Sequence, residues 1–309
     1  MLVSDIILRA RRDYLDDMVE DYNWPDETLV GHLDSIQTEF AKETGILVDF
    51  TTPAICQIPI LANQATYPMD PRITEVHDSD LVNGPSPIPV QNLAWIQKNI
   101  SRWRTATGMI EALLPDYNLN ILRIVRFPDP TEGYWTGAVI FAAATKTITL
   151  VGAKFSNTLK LGDQFVVSGT TFNGTAASPK TFTVATVSQD SLTVVEIVFN
   201  ESSPAILQKI VDTLWLNVSR LPLNPITLAG MEDPVNPQSP EVPAQYHVPA
   251  LLFGILRESW GKADSQTYDK ALSDKYAKLF ENEKRKAMAE TIWRRSPSED
   301  TMTPRLGSL

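Results

Sequence analysis

Residues 246–295 read YHVPALLFGILRESWGKADSQTYDKALSDKYAKLFENEKRKAMAETIWRR and predict two helices. Pro249 suits a first helical turn, where its missing N–H is not needed. Asp264 or Ser265 would cap the second helix. The side chains expected on the apolar face of this second helix are Tyr268, Leu272, Tyr276, Leu279 and Phe280. Because an isolated amphipathic helix is unstable in water, both helices need other helices to cover them.

The strongest partners for these helices lie at the opposite end of the chain. Residues 4–21 are predicted to form one helix. Trp24-Pro25-Asp26-Glu27 opens a second, because proline and acidic residues suit a helix N-terminus. Gly45 is expected to end it, since a left-handed residue is wanted there. We therefore predict that helices from the two ends of the chain close into one bundle.

The middle of the chain has the pattern of short strands. Asn83-Gly84 is a strong turn signal between β-prone segments. Residues 137–203 are rich in Thr, Val, Ser and Gly and predict a compact all-β unit. The flanking segments Leu119–Phe127 and Thr213–Leu221 are expected to pair as strands. Residues 137–203 would then be an insertion in a hairpin.

Together these patterns predict an α+β fold: a helical bundle built from N- and C-terminal helices plus a small antiparallel sheet, with an inserted small all-β domain. The predicted domains are residues 1–136 (first part of the main domain), 137–203 (the insertion), 204–295 (second part of the main domain) and 296–309 (a flexible arm).

Composition restricts the function. The net charge is −10, which argues against a nucleic-acid-binding domain, because such domains carry a basic surface. The single cysteine, Cys56, excludes an intramolecular disulfide and a cysteine metal cluster. No stretch approaches the roughly 20 apolar residues of a membrane helix, and no signal peptide is recognisable at Met1. We expect a protein made in a reducing cytoplasm and not bound to a membrane.

The sequence contains no recognisable catalytic constellation. Its three histidines, His32, His77 and His247, have no second histidine or cysteine at ligand spacing. Asp78-Ser79-Asp80 lacks the further acids of a calcium loop. Acidic residues 13–21 are interpreted as a solvated helix face, with the lining of a channel as the alternative. We predict that the protein is not an enzyme and has no catalytic residues, cofactor or metal.

A binding element is expected after residue 292. Tryptophan and arginine are the residue types that dominate interface energetics. The segment from Trp293 onward is therefore interpreted as a docking arm that orders on binding a partner; the alternative is a helix end with favourably placed cations. The expected contact residues, toward a partner protein or a second copy of the chain, are Trp293, Arg294, Arg295, Arg305, Leu306 and Leu309.

Five motifs, taken together in their order, resemble the head-to-tail adaptor (connector) proteins of tailed bacteriophages. They are WPDETLVGHLDSIQTEFAKETG from 24, ATYPMDPRITEVHDSDLVNGPSPIPV from 65, LRIVRFPDP from 122, WLNVSRLPLNPIT from 215 and EVPAQYHVPALLFGILRESW from 241. They cover most of residues 1–136 and 204–290. The insertion resembles small β modules of phage tail and virion proteins and departs from the plain adaptor pattern.

The resemblance implies a structural virion protein at the head–tail junction. It would form a homo-oligomeric ring, of twelve copies in the typical case, beneath the portal protein. The ring would extend the DNA channel, let DNA pass without sequence-specific binding, and dock a downstream tail protein such as a nozzle, tube or terminator. The alternative is a peripheral tail or fibre-attachment protein whose inserted β domain binds another tail protein or a host surface. A virion cell-wall hydrolase is a third reading, without the paired acids or metal ligands it needs.

Overall fold

A computed structural model describes residues 1–19, 22–84, 87–262 and 267–295. The chain divides into two compact units. Unit 1 comprises Met1–Asp49, Arg72–Glu75 and the chain from Ser219 onward, and unit 2 comprises Phe50–Pro71 and Val76–Val218. The domain boundaries expected from the sequence stay predictions.

Seven α-helices lie in the described residues: α1 Val3–Ala10, α2 Asp26–Thr44, α3 Pro53–Cys56, α4 Leu93–Asn99, α5 Leu228–Glu232, α6 Phe253–Gly261 and α7 Lys270–Arg295. Two π-helical segments, Arg11–Leu15 and His247–Leu252, continue α1 and precede α6. Short 3-10 turns span Pro130–Glu132, Phe155–Asn157 and Ala244–Tyr246.

Twelve strands are described: β1 Val48–Asp49, β2 Gln57–Leu61, β3 Thr66–Pro68, β4 Ile73–Leu81, β5 Ala112–Asn118, β6 Ile121–Val125, β7 Tyr134–Ala142, β8 Thr147–Thr149, β9 Gln164–Ser168, β10 Lys180–Val187, β11 Ser191–Val194 and β12 Glu201–Arg220. Nine of them form one sheet, in the order β1-β12-β7-β8-β11-β10-β9 with β2 and β4 also paired to β12, and the order β3-β6-β5 forms a second sheet.

The predicted fold class, a helical bundle with a small sheet, is wrong. The nine-stranded antiparallel sheet is the largest element of the fold, and of the described helices five have nine residues or fewer. The reason is strand β12, which is 20 residues long and pairs with β2, β7 and β9 from distant parts of the chain. Local periodicity identifies short β-prone runs but carries no signal for such long-range pairing.

The predicted hairpin between Leu119–Phe127 and Thr213–Leu221 is also wrong. Strand β6 pairs instead with β3 and β5, in a register that places Leu122 opposite Tyr67 and Ile124 opposite Leu113. The hairpin that encloses the inserted β segment is formed by β7 and β12, which run antiparallel from the Phe141–Glu201 pair to the Tyr134–Gln208 pair.

The inserted segment has a core of its own. The rings of Phe165 and Phe182 stack with centroids 5.8 Å apart, and Trp135 meets Phe155 edge-on at 5.0 Å. All three phenylalanines are buried. The remaining buried members are Val139, Phe141, Ile148, Leu150, Leu159, Val167, Val184, Leu192, Val194, Val198, Ala205 and Leu207.

Helices from both ends of the chain share the core of unit 1. Phe40 on α2 lies 6.1 Å from Phe280 on α7, centroid to centroid, and Tyr14 meets Tyr276 edge-on at 6.2 Å. At the α2–α6 contact, Gly254 lets the two helices approach closely. A Cβ placed on it would lie 2.3 Å from Cγ2 of Ile36.

The boundaries of these helices follow local signals in part. α2 begins after Pro25 and ends before Gly45, whose φ is +60°, so the prediction for this helix is confirmed. The helix predicted over residues 4–21 ends earlier, because the chain turns at Asp16 with φ +50°. Asp269 accepts a hydrogen bond from the backbone N–H of Leu272 at the start of α7. The predicted caps, Asp264 and Ser265, lie outside the described residues.

Helices long and apolar enough to cross a membrane do not occur within the described residues.

Candidate interaction surface

The candidate surface is the exposed end of α7, and the rest of this helix holds it in place. Tyr276, Phe280, Ala287 and Thr291 are buried at intervals of four, seven and four, so they lie on one helical face. Tyr268, also predicted for this face, is 52% exposed and precedes the helix. Since the buried face runs to Thr291, the helix is packed to within about one turn of its described end.

A buried lysine continues this face between Phe280 and Ala287. Lys284 is 3% exposed. Its Nζ lies 3.0 Å from Oε1 of Glu39 and 2.8 Å from Oε2 of Glu43, both on α2, and also pairs with Glu281. Burial alone would lower the pKa of Lys284, but the hydrogen bonds to these three carboxylates outweigh it and raise the pKa. The lysine therefore stays charged and fixes α7 to α2.

Glu39, Glu43 and Glu281 bring carboxylate oxygens within 4.8 Å of one another, a spacing that a metal ion could use. The Lys284 ammonium already provides a positive charge to all three. Arg257 adds two hydrogen bonds to Glu39, at 3.1 and 2.7 Å, and these hydrogen bonds lower the pKa of Glu39. The cluster is thus accounted for as an ion-pair network between helices.

Beyond Thr291 the side chains of α7 turn outward. Ile292 is 65% exposed and Trp293 is 79% exposed. A groove of about 570 Å³ lies beside this end of the helix. Its walls include Lys42, Glu43, Gly45, Glu75, Met288 and Ile292. An exposed indole is suited to protein–protein contact, because tryptophan combines a large apolar surface with one N–H donor.

The other predicted contact residues are located only in part. The backbone of Arg294 and Arg295 completes α7. Arg305, Leu306 and Leu309 lie outside the described residues. The partner-binding assignment of all six residues stays a prediction.

Of the acidic residues interpreted as a solvated face, Asp13 and Asp16 are exposed as expected and Asp17 is not; Glu20 and Asp21 lie outside the described residues. Asp17 is 4% exposed and pairs with the buried Arg11 at 2.7 Å. It also accepts hydrogen bonds from the backbone N–H groups of Asn23 and Trp24. Arg11 bonds Asp26 as well, at 2.6 Å. These bonds hold the segment between α1 and α2 in place. The composition of the segment does not predict this structural role of Asp17.

Other polar residues noted in the sequence have structural partners. Ser79 is 1% exposed and donates to the carbonyl oxygen of Ile88, while its neighbours Asp78 and Asp80 are exposed, so the three do not converge. His247 is 3% exposed, with Nε2 2.7 Å from the carbonyl oxygen of Val242. Burial lowers the pKa of His247 and also that of His32.

No protein-family model matches the chain, and no curated protein matches it.

Proposed function

We propose that the chain is a structural virion protein, a head-to-tail adaptor that forms a ring beneath the portal of a tailed bacteriophage. The observation that carries the proposal is the exposed Trp293 at the end of a helix whose preceding turns are firmly packed. An aromatic anchor on a rigid support binds at low cost in conformational entropy. The order of the five adaptor-like motifs supports the same function.

The acidic composition agrees with a channel that lets DNA pass. A net charge of −10 disfavours tight binding to phosphates, so DNA would slide through without sequence-specific contacts. In a ring, each copy contacts the next through two different surfaces, and the rotation between copies closes the circle. The partners proposed are the portal, further copies of this chain and a downstream tail protein.

Electron microscopy of the chain mixed with purified portal rings tests the proposal. We expect a stacked ring of this chain on the portal. Trp293→Ala should reduce the fraction of decorated portals, whereas Tyr268→Ala, an exposed aromatic beyond the other end of α7, should leave it unchanged. Undecorated portals at saturating concentration of the unmodified chain would refute the adaptor function, and equal decoration by both variants would refute the role of Trp293.

A second function is supported by the inserted β segment. Phe172, Ile197 and Phe199 are 63, 68 and 53% exposed, and the rings of Phe172 and Phe199 are 6.4 Å apart. Adjacent exposed apolar side chains favour a protein contact. The chain would then be a peripheral tail or fibre-attachment protein, and Phe172→Ser with Phe199→Ser should abolish its binding to tail components.

A further inference from the structure

A second surface, on unit 2, combines aromatic and acidic side chains in one open cleft of about 760 Å³. Its apolar walls include Phe50 and Val82, which are 62 and 57% exposed, and the partly buried Trp215. Trp215 belongs to β12 and is paired in register with Gln57 of β2. The floor of the cleft is therefore a sheet face, which is a firm platform for an extended segment.

One side of the cleft is acidic. Asp78 and Asp80 are two residues apart on β4, so their side chains lie on the same face, and both are exposed. Among the described residues that line the cleft there is no lysine or arginine. The cleft thus presents negative charge beside aromatic surface without a basic side chain in its own wall.

A hydrogen bond within the sheet holds one carboxylate of the cleft in place. Nδ2 of Asn217, on β12, donates to Oδ2 of Asp78, on β4, at 3.0 Å. This bond fixes the orientation of the Asp78 side chain, and a fixed carboxylate is favourable for pairing with a planar group of N–H donors.

Carboxylates and an aromatic wall together match a guanidinium group. Arginine presents five N–H donors in a plane that pairs with carboxylates and stacks on tryptophan. The apolar side chains of Phe50 and Val82 would contact the residues on either side of the arginine, so we expect those residues to be apolar. The expected ligand is therefore a peptide segment in which one arginine has apolar neighbours and no acidic ones.

This chain contains such a segment outside its described residues. Residues 301–309 read TMTPRLGSL, with one arginine, Arg305, between Pro304 and Leu306 and no acidic residue. We propose that residues 304–309 of a second copy bind in this cleft, with Arg305 between Asp78 and Trp215. The choice of a second copy rests on the proposed ring, in which a contact from the tail of one copy to the cleft of the next would repeat around the circle.

A peptide titration tests the recognition step. Labelled TMTPRLGSL, residues 301–309, is added to the full chain carrying Arg305→Ala, whose own tail then does not compete. We expect saturable binding by fluorescence anisotropy. It should weaken by about tenfold or more for the peptide with Arg305→Ala and for the chain with added Asp78→Asn and Asp80→Asn.

Two further variants distinguish binding in the cleft from a general attraction of the peptide to a negatively charged protein. Glu132→Gln with Asp274→Asn removes two exposed acids elsewhere and should leave binding unchanged, whereas Phe50→Ser should weaken it without altering an acid. Circular dichroism of each variant confirms that it is folded. Equal binding by the two peptides, or equal weakening by the control pair, would overturn the proposed cleft.

Mixing two complementary full-length variants tests whether the occupant comes from a second copy. Asp78→Asn/Asp80→Asn keeps its tail, and Arg305→Ala keeps its cleft. We expect them to associate in sedimentation velocity when mixed, and neither to associate alone. A mixture that sediments as the separate variants do would overturn the second copy as occupant. Portal decoration is measured independently, so failure of this inference is distinguishable from failure of the adaptor function.

Discussion

Lys284 on α7 and Glu39 on α2 are 245 residues apart in sequence, yet Nζ of the lysine lies 3.0 Å from Oε1 of the glutamate. Lys284 is 3% exposed, and its Nζ also lies 4.8 Å from the centre of the Phe280 ring. The ion pair therefore joins the two longest helices of unit 1 at the edge of their aromatic contact. Removal of this ion pair should therefore lower the free energy of unfolding of unit 1.

Lys284→Met keeps the apolar stem but removes the charge among three carboxylates. Because Glu39 and Glu43 are partly exposed and recover some hydration, the expected loss is about 1–3 kcal/mol of unfolding free energy. Urea denaturation followed by tryptophan fluorescence measures it. Lys286→Met is the matched control, since the Lys286 side chain is 69% exposed and should contribute little to stability. Equal stability of both variants would contradict the buried network.

Arg11→Ala should destabilise the start of the chain. The guanidinium is 4% exposed, pairs with Asp17 and Asp26, and lies 3.8 Å from the centre of the Tyr22 ring. Removing it leaves the buried Asp17 without its counter-ion, at an expected cost of about 3 kcal/mol. Thermal unfolding measures the change. Arg12→Ala, whose side chain is 62% exposed, should unfold as the unmodified chain does, and a similar loss there would contradict the assignment.

Two glycine-to-alanine substitutions in helices should have opposite effects. At Gly254 the new methyl group would meet Ile36 at 2.3 Å, so overpacking should cost about 1–3 kcal/mol. At Gly31 in α2 nothing lies within 4 Å of the added Cβ, and the higher helix propensity of alanine should stabilise by about 0.5–1 kcal/mol. Chemical denaturation of both variants checks the pair. Two changes of the same sign would contradict the close α2–α6 contact.

Glu201 should make the inserted β segment sensitive to acid. Burial would raise its pKa, but hydrogen bonds from the N–H groups of Thr171 and Phe172, and from Ser203 and Asn173, lower the pKa to about 2 from 4.5. A depressed folded-state pKa contributes stability above the unfolded value of 4.5, and this contribution is lost as pH falls toward 2.

The comparison with Glu201→Gln isolates this contribution. At pH 6 the unmodified chain should be more stable, by about 1 kcal/mol, because charge-assisted hydrogen bonds are replaced by neutral ones. The difference should shrink steadily between pH 4.5 and pH 2. Urea denaturation at several pH values measures both. A difference that stays constant across this range would show that Glu201 is not the titrating group.

Part of the candidate surface could be read from local sequence signals. Tyr276 and Phe280 are buried as their spacing predicts, and Trp293 is exposed at the helix end. Lys284 is buried on the same face, which a charged side chain does not suggest by its type. Its position four residues after Phe280 is the signal that could have placed it on the inner face. The unit 2 cleft has no such signal, since Phe50, Asp78 and Trp215 meet only through the sheet.

The sequence by itself determined the elements whose cause is local. Pro25 and Gly45 bound α2 because backbone sterics act within one or two residues. Only the tertiary structure decided that β12 extends over 20 residues and pairs with β2, β7 and β9. The burial of Arg11 and Lys284 was likewise decided by the tertiary structure. Strand pairing and the burial of a charge depend on groups that are distant in the chain, and their free energy appears only when packing brings those groups together.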